Sequence, residues 1–274
     1  MSQIDMFGVD TTIKPDYMDE INSLIQSGAL FVSNHSGGKD SQAMLIKLLE
    51  IVPRDQLIVA YADLGSIVWP GAKDLARKQA IEAGLPFIVA SAGKTFLGMV
   101  EKRFETRPEV PSWPSSATRQ CTSDLKRGPI QREVRRYAKE HGFKNIVNCL
   151  GLRAGESTAR RKRPLFSKMG ISNSVNTWHE WLPVHDLAAY DIFQVILDAG
   201  QQPHYAYGLE IIAGHPVATK NERLSCVFCI MASKNDIHHG GEAHPDLLQT
   251  YHQLEVKTGY TMHMNRIPIL ELAA

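Results

Sequence analysis

The residues best suited to chemistry lie between Leu30 and Ser41, read Leu-Phe-Val-Ser-Asn-His-Ser-Gly-Gly-Lys-Asp-Ser. The hydroxyls of Ser36 and Ser41, the ammonium of Lys39 and the carboxylate of Asp40 cluster around Gly37-Gly38, a pair that permits a tight turn. Such a set suits phosphate or sulfate if the backbone turns its N–H groups to the same point. The flanking residues meet that condition. Leu30, Phe31 and Val32 form an apolar run expected for a buried strand, and Gln42 to Glu50 have helical spacing through Ala43, Met44, Ile46 and Leu48. Strand, glycine turn and helix in that order put the turn on the positive end of the helix dipole. The loop is not a Walker P-loop, because the G-x-x-x-x-G-K-[ST] spacing is missing. The plainer alternative is a Gly-Gly turn capped by Ser or Asp.

This hexapeptide resembles the pyrophosphate loop of the ATP pyrophosphatases and of the phosphoadenosine phosphosulfate (PAPS) reductase family of adenine-nucleotide alpha hydrolases. Further stretches extend the resemblance over roughly residues 28 to 235, and they favour the PAPS-reductase-like branch. Asp63-Leu64-Gly65 is similar to the Asp-x-Gly that follows the family's second strand, which makes Asp63 a candidate nucleotide-site residue. A carboxylate at a strand's C-terminal end also lies where open α/β sheets bind ligands, although a cap or turn aspartate is the alternative. Gly151-Leu152-Arg153-Ala154-Gly155-Glu156-Ser157 resembles the strand-end segment that carries an arginine and a Glu-Ser pair at the nucleotide. Arg153 suits that place because its planar fork can pair with two anionic oxygens. The resemblance adds Glu156, to orient the arginine or help hold Mg²⁺, and Ser157.

Charge elsewhere is balanced, with a formal net charge of +1, so a nucleic-acid partner would need a local patch. Arg160-Arg161-Lys162-Arg163 is the densest cationic run and reads equally as a solvated loop or as a clamp for a polyanion. The helix expected over Pro129 to His141 carries Arg132, Arg135, Arg136 and Lys139, and is read first as a solvated face.

The four cysteines are too few for a disulfide framework in 274 residues. Cys226 and Cys229 form a C-x-x-C, which by itself fits a redox pair, half a zinc site or part of an iron–sulfur cluster. Cys149 falls inside an expected strand and is read as a small buried hydrophobe. By resemblance, Cys121 stands where cluster-bearing family members place their first cysteines, and Cys226 and Cys229 where they place the second pair. That implies a [4Fe–4S] cluster on three thiolates with one iron open. Zn²⁺ completed by His238 or His239 is the competing expectation, and no metal at all is the third.

The wider pattern alternates strands and helices. Runs at Leu57 to Tyr61, Pro86 to Ala90, Asn145 to Leu150 and Glu180 to Val184 read as strands, and Ala72 to Ala83, Phe96 to Phe104 and Tyr190 to Leu197 as helices. The expected fold is α/β, a Rossmann-like, mostly parallel open sheet flanked by helices, with a mostly helical or irregular C-terminal segment. We divide the chain into an N-terminal extension (1–27), an adenine-nucleotide-binding domain (28–200) and a C-terminal cysteine-containing segment (201–274). No apolar run approaches the roughly 18 residues of a membrane span, and no signal peptide is visible, so a cytoplasmic protein without a membrane partner is expected.

Two departures from the family shape the expected activity. Sulfonucleotide reductases end in a Glu-Cys-Gly-x-His tail, whereas no cysteine follows Cys229. Gln120-Cys121 also stands where cluster-bearing reductases use Cys-Cys. The Ser-Gly-Gly-x-Asp-Ser form of the loop is typical of members that split ATP between the α and β phosphates. The resemblance therefore implies an ATP pyrophosphatase that adenylates an acceptor, expected to be nucleic acid reached through Arg160 to Arg163, and supports sulfur transfer. Lys39, Asp40 and Arg153 would be catalytic, Mg²⁺ would accompany ATP, and a sulfur donor or reductant protein would be a partner. The alternatives are a PAPS or adenosine phosphosulfate (APS) reductase using an external thiol and a non-catalytic nucleotide-binding module.

Overall fold

The computed structural model describes residues 17–224 and 226–274. Residues 1–16 of the expected N-terminal extension lie outside the described residues. In chain order the elements are α1 (Tyr17–Gln26), β1 (Leu30–Asn34), α2 (Lys39–Ile51), β2 (Leu57–Asp63), α3 (Ala72–Glu82), β3 (Phe87–Ser91) and α4 (Phe96–Thr106). They continue with α5 (Gln120–Thr122), α6 (Gly128–Glu140), β4 (Asn145–Leu150), α7 (Thr158–Arg161), β5 (Phe166–Lys168), β6 (Thr177–Trp181) and α8 (Ala189–Asp198). A hairpin of β7 (Leu209–Ile212) and β8 (His215–Ala218) precedes α9 (Lys234–Ala243), α10 (Pro245–Thr258) and α11 (Ile269–Ala273).

The main sheet has six strands in the order β3-β2-β1-β4-β6-β5. All neighbours are parallel except β5, which runs antiparallel to β6 at the edge. This is the expected Rossmann-like α/β architecture. Period-two alternation sorts β1 between two cores. Phe31 packs with Met44, Leu48, Ile192 and Ile196 of α2 and α8 on one face, while Leu30 and Val32 pack with Ile130, Val134 and Ala138 of α6 on the other.

One element differs from the sequence reading. The strand expected at Glu180 to Val184 ends at Trp181 and begins at Thr177, because Pro183 has no N–H to give to a ladder. The Gly- and His-rich stretch 234–243 is a helix despite Gly240-Gly241. A side chain at Gly240 would meet Val227 Cγ1 at 3.1 Å, and one at Gly241 would meet Ala273 Cβ at 3.0 Å. Close packing selects glycine there over helix propensity.

A third core gathers the C-terminal elements around Tyr251, Phe228, Ile237 and Ile269. It also takes in Trp69, Phe96, Val100 and Trp113 from earlier in the chain. The proline-rich loop before α5 is pinned to it, since Trp113 stacks on Tyr251 with centroids 5.7 Å apart and donates Nε1–H to the Tyr260 carbonyl at 2.8 Å. No described helix is long and apolar enough to cross a membrane.

Candidate functional site

The chain leaves β1 toward β2 and β3 on one side and later returns to β4 on the other. The carboxyl ends of β1 and β4 therefore border the topological switch point, where open α/β sheets form their ligand crevice. The loop 35–38 and the segment 151–157 meet there. Glycine makes the approach possible. A Cβ on Gly151 would lie 2.8 Å from the backbone carbonyl of Asp40, and one on Gly37, at φ +79°, would lie 2.4 Å from the Ala72 carbonyl oxygen.

Helix α2 begins at Lys39, not at Gln42, with Gly38 as an N-cap that offers no side-chain acceptor. The loop is tied internally. Ser41 Oγ donates to the Gly38 carbonyl at 2.8 Å and accepts the Ser36 N–H at 3.1 Å, and the two serine hydroxyls lie 3.3 Å apart. A residue that the sequence reading left out completes it. His35 is buried, accepts the Gly37 N–H on Nδ1 at 3.0 Å and meets Gln79 Oε1 through Nε2 at 2.6 Å. One nitrogen accepts and the other faces an oxygen, so the ring is the neutral Nε2–H tautomer. Burial lowers its pKa to about 4, against the opposing Gln79 bond. Position beside the glycine loop was the one available signal for His35. For Gln79, on α3, there was none.

Across the crevice, Arg153 Nε donates to Asp40 Oδ1 at 2.5 Å, with both side chains largely withdrawn from solvent. Lys39 Nζ lies 3.6 Å from Asp40 Oδ2. Glu156 accepts the Arg153 N–H at 3.0 Å, and it also pairs with Arg160 and, at 3.5 Å, with Arg223. Ser157 caps α7 by accepting the Arg160 N–H at 3.2 Å. Lys39, Asp40, Arg153 and Glu156 thus form one charge network.

The C-terminal segment covers part of this edge. Lys39 is 2% exposed; its Nζ donates to the Glu222 carbonyl at 2.6 Å and lies 4.8 Å from the Tyr207 ring centroid. Burial lowers the lysine pKa, with Asp40 opposing the shift. Tyr207 Oη accepts the Lys39 N–H at 2.9 Å. The turn 203–208 carries Tyr207, which reaches the loop from 168 residues away, a contact that local spacing does not reveal.

Asp63 sits at the end of β2 as expected, yet Lys73 Nζ lies 2.6 Å from Oδ2 and Gly65 N–H donates to Oδ1 at 3.1 Å. The Lys73 bond is the main cause of its lowered pKa. In this arrangement it is a turn aspartate with an ion partner. The basic run is likewise partly spent, because Arg160 pairs with Glu156 and Arg163 with Glu180, leaving Arg161 and Lys162 exposed. On α6, Arg132 and Arg136 share Glu133 at 3.1 and 2.8 Å.

The thiols of Cys121, Cys226 and Cys229 interact electrostatically with one another, and Cys121 and Cys226 also with Lys126, on the π-helical turn Ser123–Arg127. Burial pushes Cys226 up to about 11 and raises Cys121, while Lys126 opposes both shifts. Among the described residues no three His, Cys, Asp or Glu side chains are disposed to hold a metal ion. The thiols share a neighbourhood without forming a ligand set, and Asp40, Asp63 and Glu156 already hold cations of the chain. The present arrangement therefore fits neither a preformed cluster site nor a resident Mg²⁺ site. His238 Nδ1 lies 2.6 Å from the Ala273 carbonyl and His239 Nδ1 3.3 Å from Glu242. Cys149 is buried in β4, where desolvation raises its pKa strongly.

No protein-family model matches the sequence, and no curated protein does. Among solved structures the chain is similar to a phosphoadenylyl-sulfate (PAPS) reductase from Candida auris in a phosphate complex. The identity is 13% and the TM-score 0.45, over 77% of this chain and 96% of that chain. It is also similar to an FMN adenylyltransferase from Candida glabrata in complex with FAD and inorganic pyrophosphate. That match has 15% identity and a TM-score of 0.38, over 66% of this chain and 53% of that chain, so the chain spans about half of that enzyme's length.

Proposed function

We propose that the chain is a PAPS-reductase-like ATP pyrophosphatase, binding an adenine nucleotide at the β1/β4 crevice and adenylating an acceptor. The observation that carries this reading is the Arg153–Asp40 contact at 2.5 Å, which joins the glycine loop to the Gly-x-Arg-x-x-Glu-Ser segment at the switch point. An acceptor oxygen attacks the α phosphorus, the α–β bridging P–O bond breaks, and pyrophosphate leaves with the electron pair. The Asp40 and Ser41 N–H groups at the start of α2 and the guanidinium of Arg153 hold phosphate oxygens as charge shifts toward the leaving group. Lys39 joins them by exchanging the Glu222 carbonyl for a phosphate oxygen, and Asp40 keeps both cations oriented.

Nucleic acid is the acceptor class, approached past the exposed Arg161 and Lys162. The finest part of the reading, which rests on the resemblance of the cysteine positions, is sulfur as the incoming nucleophile with a [4Fe–4S] cluster on Cys121, Cys226 and Cys229. We assign no step to that cluster.

The test is to incubate the protein with ATP, Mg²⁺ and a transfer RNA or DNA pool and separate the products. AMP or an adenylated acceptor appearing with pyrophosphate supports the proposal. ATP binding without pyrophosphate release supports the non-catalytic module, and sulfite from PAPS with a thiol reductant supports the reductase. Visible absorption of anaerobically purified protein, bleached by dithionite, tests the cluster separately.

A further inference from the structure

A hydrogen-bond relay ties the phosphate loop to helix α3, and the backbone fixes its hydrogen positions at both ends. At one end Gln79 Nε2 donates to the Gln42 carbonyl at 3.1 Å. A carbonyl only accepts, so the amino end of the Gln79 amide is identified, and its Oε1 is the atom 2.6 Å from His35 Nε2. That oxygen also only accepts, which puts the histidine hydrogen on Nε2. At the other end the Gly37 N–H, which only donates, meets His35 Nδ1 at 3.0 Å. Ser41 Oγ lies 3.4 Å from the same nitrogen, but its own hydrogen goes to the Gly38 carbonyl at 2.8 Å. The second Gln79 N–H is held by Gln201 Oε1 at 3.0 Å. Both Gln79 and His35 are buried, so water does not stand in for either. The other tautomer, or a protonated ring, would set an Nδ1–H against the Gly37 N–H, two donors face to face.

The relay brackets the residues that matter for an anion. A glycine pair gives a turn little conformational preference of its own, so its ties to the surroundings decide its shape. Side chains take four N–H groups of the stretch: Ser36 gives its N–H to Ser41 Oγ at 3.1 Å, Gly37 to His35, Gly38 to Ser36 Oγ at 3.4 Å and Lys39 to Tyr207 Oη at 2.9 Å. Asp40 and Ser41 stand in the first turn of α2, where N–H groups have no acceptor within the helix, and theirs are left for an anion. Gln79 reaches Gly37 on one side of this pair through His35, and the Gln42 carbonyl on the other side directly.

We propose that Gln79 is a positioning residue of the anion site: it holds His35 as the Nε2–H tautomer, and His35 holds Gly37 so that the Asp40 and Ser41 N–H groups converge on phosphate. Gln79 itself touches no phosphate. The inference rests on anion binding at the β1/β4 crevice, as read under the proposed function, and not on the adenylate transfer that follows. A glutamine that only filled the space beneath α3 would contribute to stability alone, whereas a positioning one changes anion affinity, and does so through His35.

The test is to measure inorganic pyrophosphate binding calorimetrically for the full chain, Gln79→Met, His35→Ala and the double variant. Long-range nitrogen–proton NMR of the His35 ring is recorded beside it for the wild type and Gln79→Met. Methionine keeps the length of the side chain and removes both polar ends. The wild type is expected to show the Nε2–H tautomer at neutral pH. Gln79→Met is expected to show a mixture of tautomers and to bind pyrophosphate about tenfold more weakly. Because Gln79 acts through His35, the double variant should bind no more weakly than His35→Ala. Additive losses overturn the inference, and so does Gln79→Met binding pyrophosphate as tightly as the wild type. A wild-type ring with its hydrogen on Nδ1 overturns it without any variant having to fold. A wild type that binds neither pyrophosphate nor ATP overturns the crevice reading itself, and this inference with it.

Discussion

The β1/β4 crevice and the cysteine neighbourhood solve opposite electrostatic problems. At the crevice, Lys39, Asp40, Arg153 and Glu156 are withdrawn from water yet remain paired, with Arg153–Asp40 at 2.5 Å. Around Cys121 and Cys226 the neighbours are apolar and aromatic, Lys126 is the opposing cation, and burial raises the pKa of both thiols. Under the function proposed, such a paired network exchanges one of its own partners for an anionic ligand. Buried thiols become nucleophiles or metal ligands only after losing protons, a step that metal binding itself can drive. The charged groups at the crevice are therefore already arranged around one another, and the thiols are not.

The sharpest challenge to this contrast is Arg153→Ala, which removes the contact joining the two loops. Pyrophosphate release from ATP should fall by about 10²–10³-fold, and Arg153→Lys should not restore it, because lysine lacks the planar fork. Near-normal turnover in either variant would remove Arg153 from the chemistry.

His35→Ala should cost about 2–4 kcal/mol in urea denaturation, because it leaves the Gly37 N–H and Gln79 Oε1 buried without their partner. The same residue predicts a pH dependence. Its folded pKa of about 4 lies below the ordinary histidine value of 6.5, so the unfolded chain binds more protons in that interval. The stability from keeping this ring neutral is present above pH 6.5 and is lost as pH falls toward 4, by up to about 3 kcal/mol. Denaturation midpoints measured across that range should drop less steeply in His35→Asn than in the wild type.

Gly151→Ala places a methyl 2.8 Å from the Asp40 carbonyl. It should lower stability by about 1–3 kcal/mol, read as a fall in thermal midpoint. The smallest expected effect completes the comparison. Cys226→Ala should leave pyrophosphate release within about twofold of wild type if the two regions are independent. A loss as large as that of Arg153→Ala would show that they act as one site.

Much of this organisation follows from short stretches of residues. An apolar run, a polar Gly-Gly turn and a helical pattern suffice to place Ser36 to Ser41 at a helix start, because strand burial, glycine torsions and amphipathic spacing act over a few residues. The same holds for Asn145 to Leu150 running into Arg153. Pro183 limited β6 through its missing N–H, a local rule that the strand expected at Glu180 to Val184 overlooked.

Other features depend on which distant surfaces meet. The helix over Lys234–Ala243 exists because Gly240 and Gly241 admit Val227 and Ala273. Tyr207 on the loop, Glu222 on Lys39, Gln79 on His35 and the pairing of Arg160 and Arg163 are all set by packing between segments. Spacing along the chain can nominate a lysine or an arginine for an anion. Whether that cation stands free or is already neutralised depends on the partner folding brings to it, since charge interactions depend on distance in space and on burial.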